Sequence, residues 1–235
     1  LALFISLPNP ATAQNATIGK YTGHDITDNR LIITAENGRL ALHSYRDDII
    51  RMDYSPNVEQ PISDSSLSVI QSRRTLSTTE IIENDSALVW STNSGRLIIR
   101  KEPVSIRLEG WKLDQPISQP EKTFLSDSPN ETSASFTIAP DSPVYGLGER
   151  GPTLNHRGRP YEVYNEQHFG YAGPLDQMNI TIPVAYTGDG IGFFMDQVER
   201  GLINTGANPR GELTFSAESE SLRLYLILSG RVEEQ

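Results

Sequence analysis

The sequence predicts an all-β fold, a two-sheet antiparallel β-sandwich, and three observations carry that reading. Runs of about five residues rich in Ile, Leu, Val and Tyr recur along the chain, the usual length of a strand. Turn residues punctuate them roughly every 8 to 12 positions, the spacing of a sandwich. Helical periodicity is nearly absent.

In chain order, strands are expected over 30–35, 39–44, 49–54, 87–91, 96–100 and 104–108, bounded by Asn-Gly, Ser-Gly or Asp-Asp pairs. Asn37-Gly38, between Leu31-Ile32-Ile33 and Leu40-Ala41-Leu42, reads as a two-residue hairpin turn, because a type I′ turn needs φ > 0 at both central positions. Asn37-Gly38-Arg39-Leu40 and the strand around Arg51 are echoed by Ser94-Gly95-Arg96-Leu97 and the strand around Arg107. That echo reads as a duplicated meander within one sandwich. Residues 112–142 are polar and proline-rich, a linker or a surface crossing, with a strand expected only at 133–139. Further strands are expected at 180–186, 190–195, 212–216 and 222–228, the last hydrophobic enough for the centre of a sheet.

A chain of 235 residues can bury a sizeable core, and one β domain over 14–235 accommodates it. Residues 1–13 run apolar and end in Ala11-Thr12-Ala13, like the tail of a secretory signal peptide, so an exported protein, periplasmic or secreted, is expected. A buried first strand is the alternative, opposed by Pro8 and Pro10. The formal net charge of -10, with 20 scattered basic residues, argues against nucleic acid or an anionic membrane as partner. No segment approaches the ~18 apolar residues of a spanning helix. The absence of cysteine excludes disulfides, thiolate metal sites and a Cys nucleophile within these residues. Four N-x-[ST] triplets, at Asn15, Asn84, Asn130 and Asn179, read as chance matches.

A search for reaction chemistry finds little. His24, His43, His156 and His168 lack the spacing that places two on one metal, so no metal site is expected. Tyr145-Gly146-Leu147-Gly148 contains G-x-G without a third glycine or a following helix, so no dinucleotide or other cofactor is expected. On pattern alone the two glycines read as a β-bulge or tight turn. The segment 161–173 gathers Tyr161, Tyr164, Asn165, Glu166, Gln167, His168, Phe169 and Tyr171. Aromatic faces beside carboxylate and amide groups suit a sugar, whose C–H faces stack while its hydroxyls need donors and acceptors.

The run Val144-Tyr145-Gly146-Leu147-Gly148-Glu149-Arg150, followed by Tyr164-Asn165-Glu166-Gln167, Thr181-Ile182-Pro183-Val184 and Gly190-Ile191-Gly192-Phe193-Phe194-Met195-Asp196, resembles the N-terminal domain of glycoside hydrolase family 31. That family comprises α-glucosidases, α-xylosidases and α-transglucosylases. The resemblance covers residues 28–232 and is strongest over 144–230. It implies a galactose-mutarotase-like supersandwich that packs on a separate (β/α)8 barrel, and an α-linked oligosaccharide as ligand. It further implies that both catalytic carboxylates of the retaining reaction belong to that barrel. No alternation of strands and helices occurs here, so no residue of this chain is expected to be catalytic, and the fragment alone is expected to be inactive. By resemblance, Tyr164, Asn165, Glu166, Gln167, His168, Phe169 and Tyr171 form a loop on the sugar-pocket rim. Glu166 or Gln167 would bond an acceptor-side hydroxyl, and Phe169 and Tyr171 would supply a stacking wall. Gln167 stands where many members have Asp, which puts the acidic contact in doubt; the aromatic loop 168–171 is closer to transglucosylase-like members. Two alternatives remain, a free-standing carbohydrate-binding sandwich and an aldose-epimerase-type enzyme using His156 or His168 with a Glu.

Overall fold

The structure, a computed structural model, describes residues 18–27, 30–59, 63–70, 80–93, 95–109, 117–118, 124–128, 131–151, 153–167, 169–170, 173, 178–207 and 210–228. The expected signal segment 1–13 lies outside the described residues, as do His168 and Tyr171.

Among the described residues every regular element is a strand. One sheet has eight, in the order β1 (Tyr21–Thr27), β2 (Arg30–Ala35), β3 (Gly38–Arg46), β4 (Ile49–Ser55), β18 (Leu222–Ile227), β15 (Gly192–Met195), β14 (Thr181–Thr187) and β12 (Val144–Gly148). A five-stranded sheet follows the order β10 (Phe124–Ser128), β11 (Glu131–Phe136), β17 (Leu213–Ala217), β16 (Gly201–Thr205) and β13 (Pro160–Val163). Another five-stranded sheet runs β5 (Glu80–Glu83), β6 (Ala87–Ser91), β7 (Arg96–Lys101), β8 (Val104–Glu109) and β9 (Ile117–Ser118). All strand pairs are antiparallel.

The all-β antiparallel sandwich of the sequence reading stands, with three sheets where two were expected. Strands twist by about 20–25° from neighbour to neighbour, so an eight-stranded sheet turns through more than one flat partner can follow. The three sheets feed one hydrophobic cluster. The hydrophobic strand at 222–228 is central, as its composition suggested: β18 lies between β4 and β15. The echoed motifs fall in two three-stranded meanders, β2–β3–β4 and β6–β7–β8, one in each of two sheets.

The β2–β3 hairpin exists, but its loop is shifted by one residue. Ala35 pairs with Gly38, leaving Glu36 and Asn37 as the two loop residues, and neither has positive φ. Gly38 is needed for a different reason: a Cβ there would lie 2.6 Å from the Ser55 carbonyl oxygen and 2.9 Å from the Tyr54 ring.

Strand alternation sorts the side chains onto two faces. Ile50, Met52 and Tyr54 of β4 and Leu222, Leu224 and Leu226 of β18 point into the core. Phe193 of β15 meets Phe136 and Phe215 of the opposing sheet at ring-centroid distances of 4.9 and 5.2 Å. Arg51, Asp53, Arg223 and His43 occupy the opposite face, yet Arg51 and His43 are fully buried. Asp53 accepts from Arg51 at 2.7 and 3.0 Å and from Arg223 at 2.7 Å. Both guanidinium groups also donate to the Ser63 carbonyl, and Arg223 to that of Ser65, so the chain at 63–65 is strapped across this face.

His43 Nε2 lies 3.3 Å from Asp53. Burial pushes the His43 pKa below its ordinary value, against the partial offset of Asp53. Burial likewise lowers His156. The folded protein therefore resists protonation at both rings while the unfolded chain accepts protons below about pH 6.5. Stability is expected to fall as pH drops from 7.5 to 5.5, by at most about 1.4 kcal/mol per pH unit per histidine. Thermal melts of the parent and of His43→Gln check this; the variant should show the shallower slope.

Candidate functional site

Gly146, Leu147 and Gly148 all have positive φ, at 102°, 67° and 82°. Here the β12–β14 register slips: Gly146 pairs with Ala185 but Gly148 with Thr181, so Ile182, Pro183 and Val184 stand opposite Leu147. Pro183 has no N–H to offer a ladder and suits such an irregularity. The glycines are required because the two backbones nearly touch. A Cβ on Gly146 would lie 2.4 Å from the Val184 carbonyl oxygen; one on Gly148 would lie 2.4 Å from that of Ile180 and 2.6 Å from Ile182 N. Leu147, a residue that rarely tolerates this conformation, is held there with its side chain fully buried in the core.

Glu149 and Arg150 extend from the bulge as a clamp. Glu149 N donates to Ile180 O at 2.8 Å, and its carboxylate accepts from Asn179 N at 3.2 Å. Arg150 donates to Leu147 O at 3.0 Å, Glu162 O at 2.8 Å and Thr181 Oγ1 at 3.2 Å, and lies 5.3 Å from the Tyr161 ring centroid. Asn165 closes the set by accepting from Thr181 N at 2.6 Å. The clamp therefore ties residues 162 and 165 to residues 179–181, the two ends of the stretch that contains the expected loop.

The expected site residues divide accordingly. Asn165 is exposed, yet its side-chain oxygen serves the loop base. Phe169 is 85% exposed and Gln167 is exposed. Tyr164, 40% exposed, has the Arg200 guanidinium over its ring at 4.6 Å. Glu166 accepts from Arg200 Nη2 at 2.5 Å, and Arg200 also pairs with Glu162. His168 and Tyr171 lie outside the described residues. Beside this segment is a concavity of about 400 Å³, lined in part by Tyr164, Asn165, Pro183, Phe194, Gln197 and Val198. Mixed aromatic and amide walls of this size match the chemistry of a sugar ring.

His156 is buried, and its ring bonds the Tyr161 hydroxyl at 3.1 Å. It is a packing residue, and the epimerase alternative loses its described histidine. Arg200 was not singled out in the sequence because 34 positions separate it from Glu166. Glu162, Tyr164 and Glu166 at i, i+2 and i+4 were a usable signal, since an extended chain puts alternate residues on one face.

A family model for the glycosyl hydrolase 31 N-terminal galactose mutarotase-like domain matches residues 39–204. The chain belongs to that family. Among curated proteins, an α-xylosidase of Lactiplantibacillus pentosus is 27% identical over 120 residues, which is 50% of this chain and 15% of the relative. Among solved structures, a family 31 dextranase of Flavobacterium johnsoniae is similar with a TM-score of 0.82 at 19% identity, over 90% of this chain and 26% of that one. A cycloalternan-forming enzyme of Listeria monocytogenes, solved with a pentasaccharide substrate, gives 0.75 at 17% identity, over 90% and 21%. These similarities establish a shared fold, and this glycosyl hydrolase 31 N-terminal domain spans about a quarter or less of each of those proteins.

Proposed function

We propose that this chain is the accessory domain of a retaining family 31 α-glycosidase or α-transglucosylase, packing on a catalytic barrel and lending residues 164–171 to the rim of the sugar pocket. The observation that supports it most is the clamp: the family's signature residues Gly146 to Arg150 are spent on fixing the base of the stretch that carries the exposed Tyr164 and Phe169. Retaining hydrolysis needs a nucleophile and an acid about 5–5.5 Å apart, one of them free to change protonation. Glu162 and Glu166, which converge here, are instead joined through Arg200, an arrangement for holding a shape. The carboxylates of the reaction belong to the barrel on this reading, and the protein is exported.

The test is the pair Glu166→Ala with Phe169→Ala in the full-length enzyme. The expected result is a shift in acceptor preference and a raised KM for oligosaccharides that exceeds any fall in kcat. Unchanged hydrolysis and transfer rates across an oligosaccharide series would remove the rim role.

A further inference from the structure

We propose that Arg200 is the positioning residue that fixes the 162–166 segment, and with it the edge this domain presents to the sugar; the second half of that statement rests on the rim role proposed above. The register places it there. β13 and β16 pair antiparallel with Val163 opposite Gly201, so Arg200 continues the ladder opposite Tyr164. Val163 and Gly201 face the core, which turns Glu162, Tyr164 and Arg200 outward together. Gly201 permits the approach: a Cβ there would lie 2.5 Å from the Met195 methyl and 2.7 Å from the Ser216 carbonyl oxygen. The Arg200 carbonyl is itself held, accepting from Glu218 N at 2.9 Å, so the guanidinium projects from a fixed backbone.

Three contacts then converge on one planar group. Arg200 pairs with Glu162 below, donates to Glu166 beyond, and stacks on the Tyr164 ring between them. A guanidinium does all three because its donors lie in one plane while its face remains available to an aromatic ring. Lysine offers a point charge and cannot bridge and stack together. Asn165, whose side chain reaches Thr181 instead, anchors the same segment from the other side. In the observed state the Tyr164 face and one Glu166 oxygen are occupied by Arg200, so the segment meets a sugar as a preformed edge.

Amide hydrogen exchange and kinetics on the full-length enzyme test this with Arg200→Ala and Arg200→Lys. Half-exposed ion pairs and a cation–π contact are individually weak, so Arg200→Ala is expected to speed exchange at residues 164–167 by about three- to tenfold, with the β15 and β18 amides unchanged. Arg200→Lys should fall between. Salt at 1 M, which shortens screening to about 3 Å, should move the parent toward the alanine variant. KM for oligosaccharides should rise by about the same factor as exchange, and by more than kcat falls. Unchanged exchange at 164–167 in Arg200→Ala overturns the positioning role whatever the enzyme's activity. Faster exchange with an unchanged KM leaves Arg200 as the positioning residue and removes the rim role instead.

Discussion

Asp53→Ala is expected to cost about 3–5 kcal/mol, because it leaves two guanidinium groups in a covered site without their shared carboxylate. Arg51 and His43 are fully buried and Arg223 is partly buried. Burial alone would raise the Asp53 pKa, but His43, Arg51 and Arg223 outweigh it and hold the carboxyl below its ordinary range. A depressed folded-state pKa contributes stability above the unfolded value near pH 4 and loses it as pH falls from there. At neutral pH the whole contribution is present and the substitution removes it. Thermal unfolding should show a Tm lower by on the order of 10 °C, since 1 kcal/mol corresponds to roughly 2–4 °C in a domain this large. Amide exchange at residues 63–65 should rise with it, because the arginines that hold the strap lose their alignment. Replacing Arg51, Asp53 and Arg223 together by Met, Leu and Met should cost less than Asp53→Ala alone, since apolar packing can substitute for a buried ion cluster but not for half of one. A triple variant weaker than the single one would contradict this account of the cluster.

Gly148→Ala is expected to be strongly destabilising. Its conformation costs an L-residue roughly 1–2 kcal/mol, and overpacking against main chain adds about 1–3 more. Gly158 supplies the control. Its φ of 84° nearly equals the 82° of Gly148, but nothing lies within 4 Å of its would-be Cβ. Gly158→Ala should therefore show the conformational part alone, and the difference between the two variants isolates the contact with Ile180 and Ile182. Denaturant titrations of both should separate them by at least about 1 kcal/mol. Equal losses would mean that the β12–β14 approach is not what requires glycine here.

Much of the fold was legible because strand periodicity is local. The strands at 30–35 and 87–91 were placed to the residue, and those near 49–54, 96–100, 104–108 and 222–228 to within one. Strands with little apolar alternation escaped: β1 is a half-exposed edge strand with Gly23 and His24, and β5 has two glutamates in four residues. β13 and β16 also escaped, and they are the pair that sets the Arg200 register. The division of the strands into three sheets depends on long-range pairing that no local pattern encodes. At the site, the signature Gly146 to Arg150 was visible as a motif, but its work was not. Glu149 and Arg150 act on residues 12 to 31 positions away, mostly through backbone atoms that any sequence supplies. Glu166 was legible as a polar residue of an aromatic-rich segment, whereas its occupation by Arg200 was not.

The central claim is that this domain presents residues 164–171 to a sugar bound mainly by another part of the same polypeptide. A crystal structure of the full-length protein with a bound oligosaccharide tests it most directly. The account predicts Phe169 within about 4 Å of the acceptor-side sugar, with Arg200 still bridging Glu162 and Glu166 beneath it. A sugar bound with residues 164–171 turned to solvent on the far side of the domain would contradict it.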